Sequence, residues 1–146
     1  MKTALNRTPA SFPVRRMDYN FEDTPRYWCN HEPSLTHYFT GLSTLFPEGE
    51  SYFVRSVRAL RAKAKENEIL DREIGAFIGQ EAMHSKAHTE FNDAWRKEDY
   101  NLDRFQAWLA KRDDALRNFH PKLQLALTCA FEHFTAMLGG YILKHP

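Results

Sequence analysis

Cysteine is scarce in this chain. Cys29 and Cys129 are the two present, about a hundred residues apart. That separation fits neither a disulfide framework nor a zinc knuckle, so reduced thiols in a cytoplasmic protein are expected. An excess of one charge is also missing: 20 basic and 19 acidic residues leave a net +1. Such a balance gives no reason to expect nucleic acid or an anionic membrane as partner. Long hydrophobic runs are absent as well. The longest, around Leu125 to Phe131, is broken by Thr128 and falls far short of spanning a bilayer. The opening MKTALNRTPASFPVRR lacks the apolar stretch of a signal peptide. No G-x-S-x-G, phosphate loop or dinucleotide fingerprint occurs, so those nucleophile and nucleotide chemistries are not indicated.

What remains is a soluble-protein composition, 42% apolar and 27% charged over 146 residues. That length suits one domain, burying about 70% of its extended-chain surface. Residues 1–33 carry Pro9, Pro13, Pro25 and Pro33 among basic and aromatic residues without helical period. They read as an irregular arm lying on the body through Phe12, Tyr19, Phe21, Tyr27 and Trp28. Residues 34–146 read as a helical bundle domain. Ser34 suits an N-cap for a short helix to about Thr44, and Pro47 suits the first turn of a second, to about Lys65. A third is expected from about Leu70 to Lys97, a fourth from Asn101 or Asp103 to about Asn118. Pro121 opens a last one, Lys122 to about Leu143. No segment shows sustained strand alternation. The predicted class is all-α.

The chemistry lies in the middle of the apolar stripes. On the third helix, 3-4 spacing aligns Ile74, Phe77, Glu81, His84, His88, Phe91 and Trp95, one face with apolar ends and a Glu-His-His centre. The last helix aligns Leu125, Cys129, Glu132, Ala136, Gly139 and Leu143; the second aligns Phe46, Glu50, Phe53, Val57, Leu60 and Ala64. Burying an ionised carboxylate costs several kcal/mol unless a cation or donors compensate it. Glu50, Glu81 and Glu132 have no Lys or Arg on their stripes, and a divalent metal answers that need.

Glu81-x-x-His84 turns a carboxylate and an imidazole to the same side of a helix. Joined to a Glu from a neighbouring helix, that is the half-site of di-iron and di-manganese carboxylate bundles. Mixed oxygen and nitrogen donors favour iron, manganese or zinc over calcium. The candidate ligands are therefore Glu50, Glu81, His84 and Glu132. His88 is either a further ligand or a hydrogen-bonding support for one. His133 points about 100° from Glu132 around the helix and reads as structural. Glu50 lies about 16 residues before the turn between the second and third helices, and Glu81 about 13 after it. At about 1.5 Å per residue the two lie within a helical turn of the same level, so Glu50, Glu81 and His84 should converge.

The sequence resembles the ferritin-like family of predicted metal-dependent hydrolases. The likeness is carried by VRRMDYNF (14–21), PRYW (25–28), LSTLFPEGESYFVRSVR (42–58), FIGQEAMHSKAH (77–88) and ALTCAFEHFTA (126–136). It implies a ferritin-like bundle and a divalent metal site with Glu50, Glu81, His84 and Glu132 at the ligand positions. It also implies a longer chain with a second Glu-x-x-His beyond Glu132. Glu81-x-x-His84 is the only one here, and residues 101–118 contain neither Glu nor His. The expectation is thus a bundle incomplete in one chain: either an N-terminal fragment, or a half completed by a second copy.

Three functions are compatible with this reading. One is a metal-dependent hydrolase, in which metal-activated water attacks an ester, amide or similar bond with an inward carboxylate as base. Another is a di-iron oxidase or oxygenase on the same ligands, and the third a truncated bundle that binds metal or oligomerises without catalysis. A homodimer would supply four carboxylates and two histidines for two ions. It would also cover Phe46, Phe53, Val57, Phe77, Phe91 and Trp95, which an incomplete bundle leaves partly open to water.

Overall fold

The computed structural model describes residues 12–97 and 100–145; residues 1–11 of the expected arm lie outside this range. Among the described residues five α-helices follow one another: α1 (Pro33–Ser43), α2 (Phe46–Leu60), α3 (Glu68–Lys97), α4 (Asp103–Leu116) and α5 (Pro121–Lys144), with a 3-10 turn at Arg61–Ala64. No strand occurs among the described residues. None of these helices is long and apolar enough to cross a membrane.

Prolines open three of the helices. Pro33, Pro47 and Pro121 sit in the first turns of α1, α2 and α5, where a missing N–H costs nothing. The N-cap of α1 is Glu32, without a side-chain cap, and not Ser34 as expected. Pro33 sets the helical φ one residue earlier. Helix α3 likewise starts two residues before Leu70, because Asn67 Oδ1 accepts the Leu70 N–H at 3.0 Å. At α5, His120 does the capping by accepting from the Lys122 N–H.

Helix α2 is the centre of the assembly, packed on α3, α4 and α5. The Arg61–Asp71 and Glu50–His84 contacts make α2 and α3 antiparallel. The Ser56–Thr128 and Phe53–Phe131 pairs do the same for α2 and α5. Polar pins fix this register: Ser56 Oγ lies 2.7 Å from Thr128 Oγ1, and the Tyr52 hydroxyl donates to the Gln124 carbonyl at 3.0 Å. Buried hydroxyls of this kind must be paired, so they specify one alignment. Asp113 on α4 is clamped between Arg55 of α2 and Arg117.

The arm from Pro13 to Glu32 lies along α1 and α3. Val14 packs over Gly79, where a Cβ would come within 2.7 Å of the valine methyl. The Arg15 N–H donates to Gln80 Oε1, Trp28 Nε1–H to Thr40 Oγ1, and the Cys29 N–H to Thr36 Oγ1. These bonds explain why α1 buries a threonine and serine face. Asn30 and His31 then take positive φ, 53° and 60°, to turn the chain into α1. Cys29 and Cys129 are both free thiols.

The open apolar surface coincides with the expected stripe in part. Phe53 and Trp95 are buried, and Phe46, Val57, Phe77 and Phe91 are half-buried. Trp95 is covered edge-to-face by Tyr100 and flanked by Phe91. Helix α5 is also exposed along much of its length, with Phe134 68% and Tyr141 65% accessible. The first part of its expected stripe, Leu125, Cys129, Glu132 and Ala136, lines a groove of about 870 Å³ facing Ile74 and Phe77 of α3, whereas Leu143 is exposed.

Candidate metal centre

Glu50, His84 and His88 come together where α2 crosses α3. Their nearest ligand atoms all lie within 4.8 Å of one another. Glu50 Oε1 is 2.7 Å from His84 Nδ1, and His84 Nε2 is 3.1 Å from His88 Nε2. The two contacts use opposite nitrogens of His84, so a single ion would take one of them, with Glu50 and His88 supplying the other donors.

Glu50 supplies the fit test. It is 1% exposed, and neither carboxylate oxygen receives a hydrogen bond of normal geometry. His84 Nδ1 at 2.7 Å and the Ser85 side chain are its polar neighbours. A buried carboxylate with so little compensation is costly for a fold to hold. Burial pushes the Glu50 pKa up, against the lowering influence of His84. His84, its side chain 48% exposed, is pushed up mainly by Glu50. The donor set of one buried carboxylate and two imidazoles fits a first-row divalent ion.

The second histidine is held by a network that the spacing did not reveal. Ser43 Oγ donates to Asn92 Oδ1 at 2.9 Å and lies 2.8 Å from His88 Nδ1. A hydroxyl has one proton, already given to Asn92, so His88 Nδ1–H must be the donor to Ser43. His88 Nε2 is then a bare lone pair facing His84. Burial pushes the His88 pKa down to about 4, which keeps the ring neutral at pH 7. Phe46 stacks on this ring with centroids 4.4 Å apart and lies 5.5 Å from the ring of His84. Asn92 sits one turn after His88 on α3, the sole sequence hint; Ser43 on α1 gives none.

Glu81 and Glu132 stand outside the three-residue cluster but within its field. Glu81 is buried, and its pKa is pushed up to about 7, first by burial and then by the charges of Glu132 and Glu50. Half-buried Glu132 is also pushed up by burial and by Glu50, while His84 pulls it down. Three carboxylates and His84 therefore act on one another in one volume between α2, α3 and α5. His133 is exposed and borders the same groove as Glu132.

An all-α framework with a buried carboxylate against two imidazoles defines a candidate metalloprotein. The model of the predicted metal-dependent hydrolase family matches residues 13–146, and the chain belongs to that family. No curated protein and no solved structure matches it.

Proposed function

We propose that the protein is a divalent-metal-dependent hydrolase of ferritin-like architecture. The observation that carries the reading is Glu50: fully buried, with its carboxylate 2.7 Å from His84 Nδ1 and with His88 behind that ring. Glu50, His84 and His88 would hold the ion, with Glu81 and Glu132 as the added carboxylates. Antiparallel packing of α2 on α3 and α5, each bearing an inward Glu, supports a ferritin-like bundle. Iron, manganese or zinc all suit the donor set.

A bound divalent ion supplies Lewis acidity and lowers the pKa of water. The protein's own groups do the rest. Glu81, poised near neutrality, can accept a proton from water and return it to a leaving group at the same carboxylate. Ser43 and Asn92 hold the His88 ring so that Nε2 stays an acceptor. The two free thiols fit a reducing cytoplasmic setting.

A second copy of the chain would close the α3–α5 groove and double the carboxylate and histidine set for two ions. The groove is apolar apart from Glu73, Glu132, His133 and a few other polar groups, and open to solvent, a surface that favours association. Light scattering at micromolar concentration should give the mass of a dimer, and a compact monomer would refute this part.

Thermal melts test the centre. Metal should raise the wild-type Tm as binding to the native state requires. In Glu132→Ala the metal-induced rise should shrink while the metal-free Tm holds or increases, because a costly charge is gone. A metal-free stability lowered by several kcal/mol would make Glu132 an ion-pair partner instead.

A further inference from the structure

Beside the histidine pair the structure contains a second, chemically different space. A chamber of about 340 Å³ opens onto His84 and His88, walled by Phe21, Trp28, Phe39, Phe46 and Phe91. Its walls come from four segments that the sequence keeps apart: the arm, α1, α2 and α3. Phe91 is met edge-on by both Phe21 and Trp28, with centroids 5.3 and 5.4 Å apart, so the rings form a fixed cage. Among the described residues, no Asp, Glu, Lys or Arg lines it. The polar groups it offers are the two imidazoles with Ser43 and Tyr19, and Ser43 is already committed to Asn92 and His88. An apolar cavity with a few convergent polar groups at one end is the usual form of a small-molecule site.

We infer that this chamber binds an uncharged aromatic or compact apolar group of the substrate and so sets the adjoining bond against His84 and His88. The inference rests on reading those histidines with Glu50 as the metal centre. A ring of about ten heavy atoms fits the volume, and a charged group would lose its hydration there without a partner. The competing approach is a polar cleft of about 420 Å³ that reaches Glu50 and Glu81 past Arg55, Arg58 and Arg117. Two of those arginines are spent on Asp113, so the cleft is a weaker anion site than its composition suggests.

Ala87 lies in the chamber lining and supports none of the proposed ligands directly. Its replacement by Phe should fill the space without touching the Glu50–His84 contact. The test is a methyl-detected NMR titration with benzamide, benzoate and acetamide, with and without Zn²⁺. Benzamide should bind one-to-one with Kd on the order of 1 mM, shifting the Ala87 and Leu42 methyls even in metal-free protein. In that protein benzoate and acetamide should bind at least tenfold more weakly, and Ala87→Phe should lose benzamide at least tenfold while taking up Zn²⁺ as the wild type does. Benzamide shifts centred on Ala130 and Met137 of α5, or equal binding of benzoate, would overturn the assignment. The wild-type shift map decides this even if Ala87→Phe does not fold. Zn²⁺ uptake without benzamide binding would sink the chamber alone; benzamide at Ala87 without Zn²⁺ uptake would sink the metal reading alone.

Discussion

Glu50 of α2 and His84 of α3 stand 2.7 Å apart, and the buried Glu50 carboxylate has His84 and Ser85 as its polar neighbours. Burial makes the charge expensive, and the imidazole is its nearest compensation. Without metal, therefore, the centre costs stability. Glu50→Gln keeps the shape and removes the charge. At pH 8 the metal-free variant should be equal to the wild type or more stable, by up to about 2 kcal/mol in urea denaturation. A loss of more than about 1 kcal/mol would mean that the Glu50–His84 contact is a stabilising ion pair.

The raised pKa of Glu81 gives the metal-free protein a pH dependence of unusual sign. Its folded value is about 7 against 4.5 unfolded, so the native state holds more protons between those limits. Stability is fully present below about 4.5 and falls as pH rises toward 7, by on the order of 2–3 kcal/mol. His84, pushed up, adds to that trend, and His88, pushed down, opposes it. The difference between wild type and Glu81→Gln isolates the carboxylate. That difference should grow in favour of the variant from pH 5 to 7.5; a flat difference would show that Glu81 titrates normally.

Gly79 concerns the arm. A methyl group there would sit 2.7 Å from Val14 Cγ2, while an alanine in mid-helix is worth about 1 kcal/mol over glycine. Gly79→Ala should therefore leave global stability unchanged or improved but loosen the arm. Limited proteolysis should cut residues 13–32 several-fold faster than in the wild type. Unchanged cutting would show that the arm does not depend on this contact.

Much of the site could be read from spacing because α-helical period is a local property. Glu81 and His84, three apart, needed only that α3 be helical, and Glu50 needed only a turn of the right length. Ser43 and Asn92 were not legible: their bond to His88 depends on how α1 lies across α3, which no periodicity encodes. Trp95 reads as an open stripe residue until Tyr100 folds back over it. On α5 the residues from Leu123 to Tyr141 are apolar on more than one side, so the pattern could not say which face meets α2. His84, on a stripe that reads as buried, is half exposed because the chamber opens beside it.

The most direct test of the centre is a metal titration of stripped protein, followed by calorimetry, with Zn²⁺, Mn²⁺ and Fe²⁺ in turn. Wild type should bind at least one of these saturably with micromolar Kd or tighter. The double variant Glu50→Gln, His84→Gln should lose at least a hundredfold in affinity while melting no lower than the wild type without metal, since removing even a supporting group costs 10–100-fold. Equal binding by wild type and double variant, or no binding of any of the three ions, would contradict the account.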